Sequence, residues 1–314
     1  MELCVIGEYL IDFTPLGLNE RGLPTYQSTP GGAPANVACA AAKLGVTAGV
    51  MTKMSTDPFG CFLLDYLKKL GNVDMSAIVR SNDPTGLAFV TLNDEGDRDF
   101  VFYRKNCADA MLSINEVNDE ALRNCKVFHF GSVSLTQKVS RETTMYAAKK
   151  AREYGKIVSF DINNRAFLWE NPGDAEKYID EALELADIVK ASDEEAVQFG
   201  GGIDKAAAYF QSKGVKLVLI SLGADGSLFD NGKDREVVPS YKVKVVDTTG
   251  AGDNFMGAFL ARLIRSGKKP EELSAAELKD ILAYSNAAGA VCASRYGAIP
   301  GQAVPEDIEK LQNS

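Results

Sequence analysis

The 314-residue sequence predicts an α/β protein with a central, mostly parallel sheet that helices cover on both faces. Two observations predict this class. Short apolar segments such as "KIVSFD", "ADIVKAS" and "VKLVLISLG" alternate with amphipathic stretches of helical period, which is the pattern of βαβ units. The apolar segments show little polar alternation, as expected for strands that are buried on both faces.

Glycine marks the ends of several predicted helices. A glycine just after the last helical turn adopts the left-handed backbone conformation that closes a helix at less cost than other residues. The amphipathic stretches close in this way at Gly45, Gly71, Gly155 and Gly214. We therefore expect a positive φ angle at each of these positions.

One segment departs from the βαβ pattern. "TGLAFVTLNDEGDRDFVFYR" contains two β-type runs joined by a polar turn with Gly96, which predicts a hairpin that projects from the main sheet. Both faces of the first run are mostly apolar, with Leu87, Phe89 and Thr91 on one and Ala88, Val90 and Leu92 on the other. We expect a lid that closes over a ligand with one face and meets a second subunit with the other. A hairpin packed on its own domain is the alternative.

A second segment can complete this lid. Tyr9 to Ser28 has no helical period and contains Pro15, Gly17, Gly22 and Pro24, which fits short strands and turns. The predicted lid is then discontinuous and comprises residues 11–28 and 86–106. The main α/β domain comprises residues 1–10, 29–85 and 107–314.

Composition and charge exclude several classes of function. Lys and Arg total 34 against 43 Asp and Glu, a formal charge of −9, so no basic face is available for the phosphate backbone of a nucleic acid. No uncharged apolar run reaches the roughly 18 residues of a membrane span. The six cysteines are scattered and are expected to be reduced thiols in the core, and we expect a cytoplasmic protein with small-molecule partners.

Common nucleotide and hydrolase motifs are missing from the sequence. There is no GxxxxGK[ST] loop, and no GxGxxG follows a strand. The only histidine, His129, lies at strand spacing in "KVFHFGS" and is expected to be a buried strand residue. A Ser-His-Asp hydrolase is therefore disfavoured.

The segment "VVDTTGAGDNFMG", from Val245 to Gly257, places a carboxylate at the start of a helix. Gly250, Ala251 and Gly252 allow backbone amides to approach a ligand, and unpaired amides at a helix N-terminus form an anion site. A bound phosphate would repel Asp253 unless this carboxylate takes a proton from an acceptor hydroxyl. We favour a catalytic base over a helix cap, because a cap requires no such glycines before it.

A second glycine-rich segment, "PGGAPANVACAAAKLG", also precedes a helix. Asn36 is the strongly polar side chain in its first turns. From composition alone Asn36 either caps the helix or binds a hydroxyl, and both alternatives stay open.

These two segments carry a resemblance to a known family. "GGAPANVA" and "DTTGAGDNFMGAF" are similar to the two signatures of the PfkB (ribokinase-like) carbohydrate kinases. Further motifs, in family order from about residue 3 to about residue 300, are most similar to bacterial fructokinases: "GEYLIDF", "DPFG", "PTGLAFV", "FYRKNCADAML", "FHFGSVSL" and "NRAFLW". The resemblance implies a ribokinase-like three-layer α/β/α domain with a small β-sheet lid, ATP bound on the C-terminal half and a sugar beneath the lid.

The resemblance also implies roles for the residues of these motifs. Asp253 would be the base that takes the proton of the acceptor hydroxyl, and the amides of Gly250 to Gly252 would stabilise charge on the transferring phosphoryl group. The positions implied to bind the sugar are Asp12, Gly32 and Asn36, with Arg104 and Arg165 near the substrate or the phosphoryl path. Without the family, Asp12 would cap a turn and Arg104 would be a surface charge that ends a strand. Trp169 we assign to packing.

On the nucleotide side, the resemblance implies that Glu195 acts on Mg²⁺ through water. Ser192 stands where many members have Asn, although its hydroxyl can still bind a phosphate or a water. The other positions implied to bind ATP are Lys190, Ser221, Gly223, Gly226 and Asn286. Without the family, Glu194 and Glu195 would be a solvated helix face.

Two further features of the sequence bear on the resemblance. Asp247 and Thr249, with carbonyls near Gly297, resemble the family's monovalent-cation site, and oxygen ligands favour K⁺ over a transition metal. Ile162 stands in "DINNR" where similar fructokinases have Pro, which frees the backbone before Arg165.

The sequence thus predicts an ATP-dependent fructokinase that makes fructose 6-phosphate, uses ATP, Mg²⁺ and K⁺, and forms a homodimer through the lid. A 2-keto-3-deoxygluconate kinase or another sugar kinase of the family is the alternative. A nucleoside kinase is disfavoured because Arg104 and Arg165 suit a polar or anionic sugar better than a flat base. A non-catalytic sugar sensor with the same fold is disfavoured by Asp253, since a sensor needs no base.

Overall fold

The computed structural model describes residues 1–92 and 98–314, so the predicted turn at Gly96 lies outside the described residues, as do the side chains of Thr91 and Leu92. The strands are β1 (Leu3–Ile6), β2 (Leu10–Leu18), β3 (Pro24–Gly31), β4 (Ala48–Ser55), β5 (Val73–Asp74), β6 (Ile78–Ser81), β7 (Leu87–Leu92), β8 (Arg98–Tyr103), β9 (Val127–Gly131), β10 (Ile157–Asp161), β11 (Ile188–Ser192), β12 (Leu217–Ser221), β13 (Ser227–Asp230) and β14 (Arg235–Val238). The α-helices are α1 (Ala33–Lys43), α2 (Pro58–Leu70), α3 (Asp119–Asn124), α4 (Lys138–Glu153), α5 (Asp174–Leu183), α6 (Asp193–Gly200), α7 (Ile203–Ser212), α8 (Ala251–Ser266), α9 (Ala275–Ala293) and α10 (Pro305–Gln312).

The large sheet has the strand order β14-β13-β12-β11-β10-β9-β1-β4-β5, and β6 also pairs with β4. The neighbours from β12 to β5 are parallel, whereas β13 and β14 form an antiparallel edge. This confirms the predicted, mostly parallel sheet. The edge hairpin β13–β14 is not part of the sequence prediction.

Helices cover both faces of the large sheet. In β1, Leu3 and Val5 pack into one apolar cluster with α1, α8 and α9, whereas Cys4 and Ile6 pack into another with α4, α5 and α7. Alternate strand residues therefore enter opposite layers, and each large apolar side chain that is fully buried contributes roughly 1.5–3 kcal/mol. The three-layer α/β/α arrangement is the one expected.

The glycines predicted to end helices have the expected backbone conformation. The φ angles are 84° at Gly45, 75° at Gly71, 69° at Gly155 and 109° at Gly214. Each follows or caps the last turn of a helix, namely α1, α2, α4 and α7. The left-handed conformation explains why glycine occupies these positions.

A separate four-stranded sheet has the order β3-β2-β7-β8. The predicted hairpin is confirmed, because β7 and β8 are antiparallel with Leu87 opposite Tyr103. The segment from Tyr9 to Ser28 supplies β2 and most of β3, and β2 joins the hairpin by parallel pairing with β7. The two pieces of chain therefore form one small sheet, which we call the lid sheet.

The two faces of the lid sheet differ. The inner face carries Leu10, Asp12 and Phe102, which line the cavity described below. The outer face carries a cluster of aromatic rings from Phe13, Tyr26, Phe89 and Tyr103. In this cluster Phe13 stacks on Phe89 with 4.7 Å between the ring centroids. The outer rim of the cluster is open, since Tyr26 is 44% exposed and Tyr103 is 62% exposed.

Single-residue expectations for packing are confirmed with one exception. His129 is buried in β9, with its Nδ1 3.0 Å from the Oγ of Ser159, and Trp169 stacks on Tyr178. The cysteine thiols are free and buried, as expected, except that Cys61 is exposed. Cys61 lies in α2 on the side away from the buried Leu63. Its position within an apolar stretch of the sequence therefore did not make Cys61 itself buried. Among the described residues, no helix has the length and apolar character required to span a membrane.

Candidate active site

A cavity of about 590 Å³ opens at the carboxyl ends of β1, β10 and β11, between the N-termini of α1 and α8 and the inner face of the lid sheet. This edge is where ligands bind in open α/β sheets. The predicted site residues that line the cavity are Asp12, Gly32, Asn36, Arg165, Lys190, Ser192, Glu195, Thr249, Gly250, Gly252 and Asp253. Those outside its lining are Arg104, Ala251, Ser221, Gly223, Gly226, Asp247 and Asn286.

Asp253 lies in the first turn of α8 but does not cap it. The N-cap is Gly250, with a φ of 76°, and no side chain accepts a capping hydrogen bond there. Instead, the Oδ2 of Asp253 accepts a hydrogen bond of 2.8 Å from the Nδ2 of Asn36. Burial raises the pKa of Asp253 above its ordinary value, although the Asn36 amide and two nearby cations oppose the shift. The capping alternative for Asp253 is therefore wrong.

Asn36 does not cap its helix either. The N-cap of α1 is Gly32, whose φ of 111° favours glycine, and no side chain caps this end. Asn36 is 3% exposed, its Nδ2 is bound to Asp253, and its Oδ1 has no protein partner among the described residues. Asn36 thus orients Asp253. Its Oδ1 remains as a hydrogen-bond acceptor at the N-terminal end of α1, beside the cavity.

A buried ion pair lies beside the start of α8. The Nζ of Lys190 is 3.1 Å from the Oδ2 of Asp161, and both side chains are nearly inaccessible. A Cβ atom at Gly252 would lie 3.3 Å from the same Nζ, so the ammonium group is next to the α8 backbone. Burial would lower the pKa of Lys190, but the surrounding carboxylates, Asp161 first, outweigh it and keep the pKa above its ordinary value. Lys190 is therefore a fixed positive charge beside the predicted anion site.

Two buried carboxyl groups lie at the lid end of the cavity. Burial raises the pKa of Asp12 to about 7, and the neighbouring carboxylates Asp253 and Glu8 add to the shift. Burial also raises the pKa of Glu8 to about 7, against the attraction of Arg104. The Oε1 of Glu8 accepts a hydrogen bond of 3.2 Å from the backbone amide of Ala33. Asp12 is therefore no turn cap but a carboxyl group in the wall of the cavity.

The two predicted arginines differ in position. Arg165 lines the cavity, and its NH1 donates to the carbonyl of Asn164 at 3.0 Å. Arg104 is 2% exposed and forms an ion pair of 2.5 Å between its Nε and the Oδ2 of Asp109. The surface-charge alternative for Arg104 is wrong, because its side chain is buried and paired with a buried carboxylate. Arg104 lines a neighbouring cavity of about 340 Å³, and Phe102 lines both this cavity and the candidate active site.

Ser192 and Glu195 form a capping box at the start of α6. The amide of Glu195 donates to the Oγ of Ser192 at 3.1 Å, and the amide of Ser192 donates to Glu195 Oε2 at 2.8 Å. The Oε1 of Glu195 accepts from the amide of Asn164 at 2.6 Å. Glu195 is thus held in the wall of the cavity and is not a solvated carboxylate, whereas Glu194 is exposed. The serine that replaces Asn has a structural role as the helix cap.

Ile162 also has a local explanation. Its amide donates to the carbonyl of Lys190 at 2.9 Å, which extends the pairing of β10 with β11 by one bond. Proline has no amide hydrogen and could not form this bond. The backbone before Arg165 is therefore fixed by the strand pairing.

The remaining nucleotide-side positions lie at the end of β12, in the loop that follows it and in the middle of α9. The Nδ2 of Asn286 donates to the carbonyls of Val238 and Pro239 at 2.9 and 3.2 Å. Gly223 and Gly226 have φ angles of 57° and 111°, and a side chain at Gly226 would collide with the carbonyl of Val238. Ser221 donates to the carbonyl of Ala191 at 3.3 Å. These residues shape a loop beside the cavity.

Asp247 ties two loops together. Its Oδ1 accepts from the amide of Thr249 at 2.8 Å, and its Oδ2 accepts from the amide of Gly297 at 3.0 Å. Asp247 is 3% exposed. The predicted loop partner near Gly297 is therefore in contact with Asp247. No cluster of three His, Cys, Asp or Glu side chains that could hold a metal occurs in the described ranges.

Sequence reasoning missed several residues of this site. Glu8, Asn163 and Thr248 line the cavity, and Asp161 holds Lys190. Glu8 and Asp161 had a usable signal, because each is an acidic residue at the carboxyl end of an apolar strand, where parallel sheets place their ligands. Asn163 and Thr248 had no comparable signal in the sequence.

Residues 1–305 match the pfkB family carbohydrate kinases. A protein of Arabidopsis thaliana named "Probable fructokinase-5" is 40% identical over 316 residues, which cover 98% of this chain and 96% of the plant protein. The crystal structure of a fructokinase from Xylella fastidiosa with bound ATP matches with a TM-score of 0.92 at 30% identity, over 99% of this chain and 98% of that one. An E. coli protein assigned as a ribokinase II, solved with ATP and Mg²⁺, matches with a TM-score of 0.87 at 30% identity over 99% of both chains. With both signatures in one cavity and the match running along almost the whole sequence, the chain belongs to the pfkB family of carbohydrate kinases.

Proposed function

We propose that this carbohydrate kinase is an ATP-dependent fructokinase, which transfers the γ-phosphoryl group of ATP to the 6-hydroxyl of D-fructose with Asp253 as the base. The observation that carries the proposal is the position of Asp253. Its carboxylate is buried in the cavity, is held by Asn36, and lies at the helix N-terminus that the fixed charge of Lys190 adjoins. Relatives named as fructokinases at about 40% identity support the sugar.

In this mechanism Asp253 removes the proton of the acceptor hydroxyl as its oxygen attacks the γ-phosphorus. Asn36 binds the Oδ2 of Asp253, so the Oδ1 is left for the sugar. The raised pKa of Asp253 makes the carboxylate a stronger base than an exposed aspartate. General-base catalysis of this kind contributes about 10²–10⁴-fold in rate.

The start of α8 supplies the anion site for the transferring group. The amides of Gly250, Ala251 and Gly252 and the positive end of the helix dipole stabilise its negative charge. A side chain at Gly250 would contact the Cβ of Ala298 at 2.5 Å, so glycine is needed for the loop to approach this closely. Lys190 adds a full charge, fixed in direction by Asp161. Positioning and electrostatics of this kind provide most of the catalysis of phosphoryl transfer.

The residues near α6 fit a magnesium ion bound through water. Each oxygen of Glu195 accepts one backbone hydrogen bond, and an ionised carboxylate has about four acceptor directions, so two remain for a metal-bound water. When bound, Mg²⁺ neutralises charge on the phosphates of ATP. Glu195 and Ser192 would hold its water shell. We place the nucleoside beside the loop shaped by Ser221, Gly223, Gly226 and Asn286.

For the sugar we propose the lid end of the cavity. Asp12 and the Oδ1 of Asn36 accept hydrogen bonds from hydroxyls, and the backbone of Gly32 lies against the ring. Arg165 is near the phosphoryl path, while Arg104 acts from behind the wall of the cavity. The lid sheet then excludes water from the reacting groups.

We also propose a K⁺ site at Asp247 and Thr249. Asp247 is buried beside Thr249 and the loop of Gly297, and carboxylate and carbonyl oxygens suit K⁺. Bound K⁺ would fix the loop that leads into Gly250. Rates measured in K⁺ should exceed those in a bulky organic cation, and equal rates would remove this site from the mechanism.

The sugar is tested by ATP turnover across D-fructose, 2-keto-3-deoxygluconate, D-ribose and adenosine. The proposal requires the highest kcat/KM for fructose. A preference of about tenfold or more for another acceptor would contradict it. A 2-keto-3-deoxygluconate kinase is the second candidate, since two cations, Arg104 and Arg165, lie near the cavity.

We further propose a homodimer through the outer face of the lid sheet, and a cytoplasmic location. The open aromatic rim of Tyr26 and Tyr103 supports the dimer, because large exposed apolar patches mark interaction surfaces. The free, mostly buried thiols fit a reducing compartment.

A further inference from the structure

Arg104 is a buried cation whose charge is already balanced by the protein. Its Nε donates to the Oδ2 of Asp109 at 2.5 Å, and both side chains are 1% exposed. Its NH1 donates to the carbonyl of Val133 at 3.1 Å and to the Oγ1 of Thr136 at 3.3 Å. The guanidinium group is therefore fixed in position.

This guanidinium lies directly behind the wall of the candidate active site. Val133 and Glu8 both line the cavity, and the negative charge of Glu8 acts on Arg104. Burial would lower the pKa of Arg104, but the charges of Asp109 and Glu8 outweigh it and raise the pKa. Three buried atoms of this group have no protein hydrogen-bond partner in the described part of the chain: the NH2 of Arg104, the Oδ1 of Asp109 and the Oε2 of Glu8.

The chemistry of this cluster bears on the choice between neutral and anionic sugars. A guanidinium group with a free edge binds a carboxylate through two parallel hydrogen bonds. Here the carboxylate of Asp109 already pairs with the cation, and Glu8, whose pKa is raised to about 7, adds negative charge as it ionises. A sugar acid would add a further negative charge in a poorly solvated place, where like charges repel strongly, whereas a neutral ketose would not.

We propose that Asp109, together with Glu8, determines sugar specificity by neutralising Arg104, so that the cavity selects a neutral sugar over a sugar acid. The inference rests on the proposed function, since it concerns the acceptor of the same reaction. Asp109 acts through Arg104 and need not touch the sugar. Removing the charge of Asp109 leaves an uncompensated cation behind the cavity wall, and the acid gains an attractive partner.

The test is the ratio of kcat/KM for 2-keto-3-deoxygluconate to that for D-fructose in wild type and in Asp109→Asn. We expect the ratio to rise about tenfold or more in the variant, because the negative charge of Asp109 repels the sugar acid and has little effect on the neutral ketose. Adding Arg104→Met to Asp109→Asn should cancel the gain. A general loosening of the site would survive that second change, so the double variant separates the two explanations.

A matched control is Asp204→Asn. Asp204 also pairs with an arginine, Arg235, at 2.9 Å, but on the exposed N-terminal turn of α7. The ratio should be the same in this variant as in wild type. Glu8→Gln provides a second charge removal in the same cluster, should Asp109→Asn not fold, and it should shift the ratio in the same direction.

The possible outcomes separate this inference from the proposed function. A wild type that prefers the acid contradicts the fructokinase, whatever the variants do. A wild type that prefers fructose, with folded Asp109→Asn or Glu8→Gln unchanged in the ratio to within about twofold, overturns the specificity role alone.

Discussion

Asp253 and Asn36 show how two residues from distant parts of the chain form one hydrogen-bonded unit in the wall of the cavity. The amide of Asn36 satisfies one oxygen of the carboxylate, and burial supplies the basicity. Neither residue caps the helix that contains it. The local sequence allowed either residue to be a helix cap. Only the contact between α1 and α8 shows that the two side chains bond to each other instead.

Asp12 leads to a prediction about stability. Burial raises its pKa to about 7, from about 3.9 in an unfolded chain. Its neutral form therefore stabilises the fold fully below the unfolded-state value, and this contribution is lost as the pH rises through about 7. Asp12→Asn should increase the free energy of unfolding relative to wild type, and the increase should grow by roughly 2 kcal/mol between pH 5 and pH 8.

Urea unfolding of the ligand-free protein at the two pH values measures this difference. Asp65→Asn is the control, because Asp65 lies on the surface of α2, where it pairs with the exposed Lys68. Its effect should be equal at both pH values. If the effect of Asp12→Asn were equal at both as well, Asp12 would not titrate as described.

The helix α8 shows why glycine is required at its start. Gly250 and Gly267 flank this helix with nearly the same backbone, at φ angles of 76° and 68°. A side chain at Gly250 would press on Ala298, whereas a side chain at Gly267 would meet nothing within 4 Å. Both positions therefore require a positive φ angle. They differ because only Gly250 is crowded by a neighbouring residue and lines the cavity.

Substituting these two glycines separates stability from catalysis. Both Gly250→Ala and Gly267→Ala should lose about 1 kcal/mol or more of stability, since alanine disfavours a positive φ. Only Gly250→Ala should also lose turnover, by about tenfold or more, because the amides of the anion site would shift. Thermal unfolding and steady-state rates measured on both variants check this, and equal turnover in the two would argue against the anion site.

The elements of the fold could largely be predicted from local signals. Apolar strands, helical periods and closing glycines such as Gly71 depend on neighbouring residues, and each was confirmed. The edge hairpin β13–β14 was not predicted, because its strands are only four residues each and each contains only two apolar residues. The exposure of Cys61 was also missed. Which side of helix α2 is buried depends on the parts of the chain that pack against it, and these are distant in sequence.

The site was predictable as a set of motifs but not as a set of contacts. The glycine turns and Asp253 stood out because their spacing is unusual. The ion pair of Arg104 with Asp109 could not be predicted, since it depends on the burial of both side chains. Charge compensation in three dimensions leaves no regular spacing in the sequence.

At the scale of the whole molecule, the lid sheet has one face that lines the cavity and one with an exposed aromatic rim. Its outer face places Val101 and Tyr103 in solvent beside the Phe13–Phe89 stack. Sheet faces of this kind are stable when another surface covers them. A second copy of the chain would cover the rim and would also limit the movement of each lid.

The dimer is tested by sedimentation at micromolar concentration. Wild type should sediment as a dimer, and Tyr103→Asp should weaken the dimer by roughly 100-fold, because a charge would be buried in both copies. Tyr146→Asp, which changes an exposed tyrosine on α4, should leave it intact. A monomeric wild type would exclude this interface.

The most direct measurement of the central claim is the turnover of Asp253→Asn together with its binding of ATP and D-fructose. The pair of Asn171 and Asp174 offers the matched control, because the Nδ2 of Asn171 donates to the Oδ2 of Asp174 at 3.0 Å at the exposed start of α5. Asp174→Asn should therefore keep the wild-type rate. The account predicts that Asp253→Asn binds both substrates within about threefold of wild type and loses kcat by about 10³-fold or more. Turnover near the wild-type rate in Asp253→Asn would contradict it.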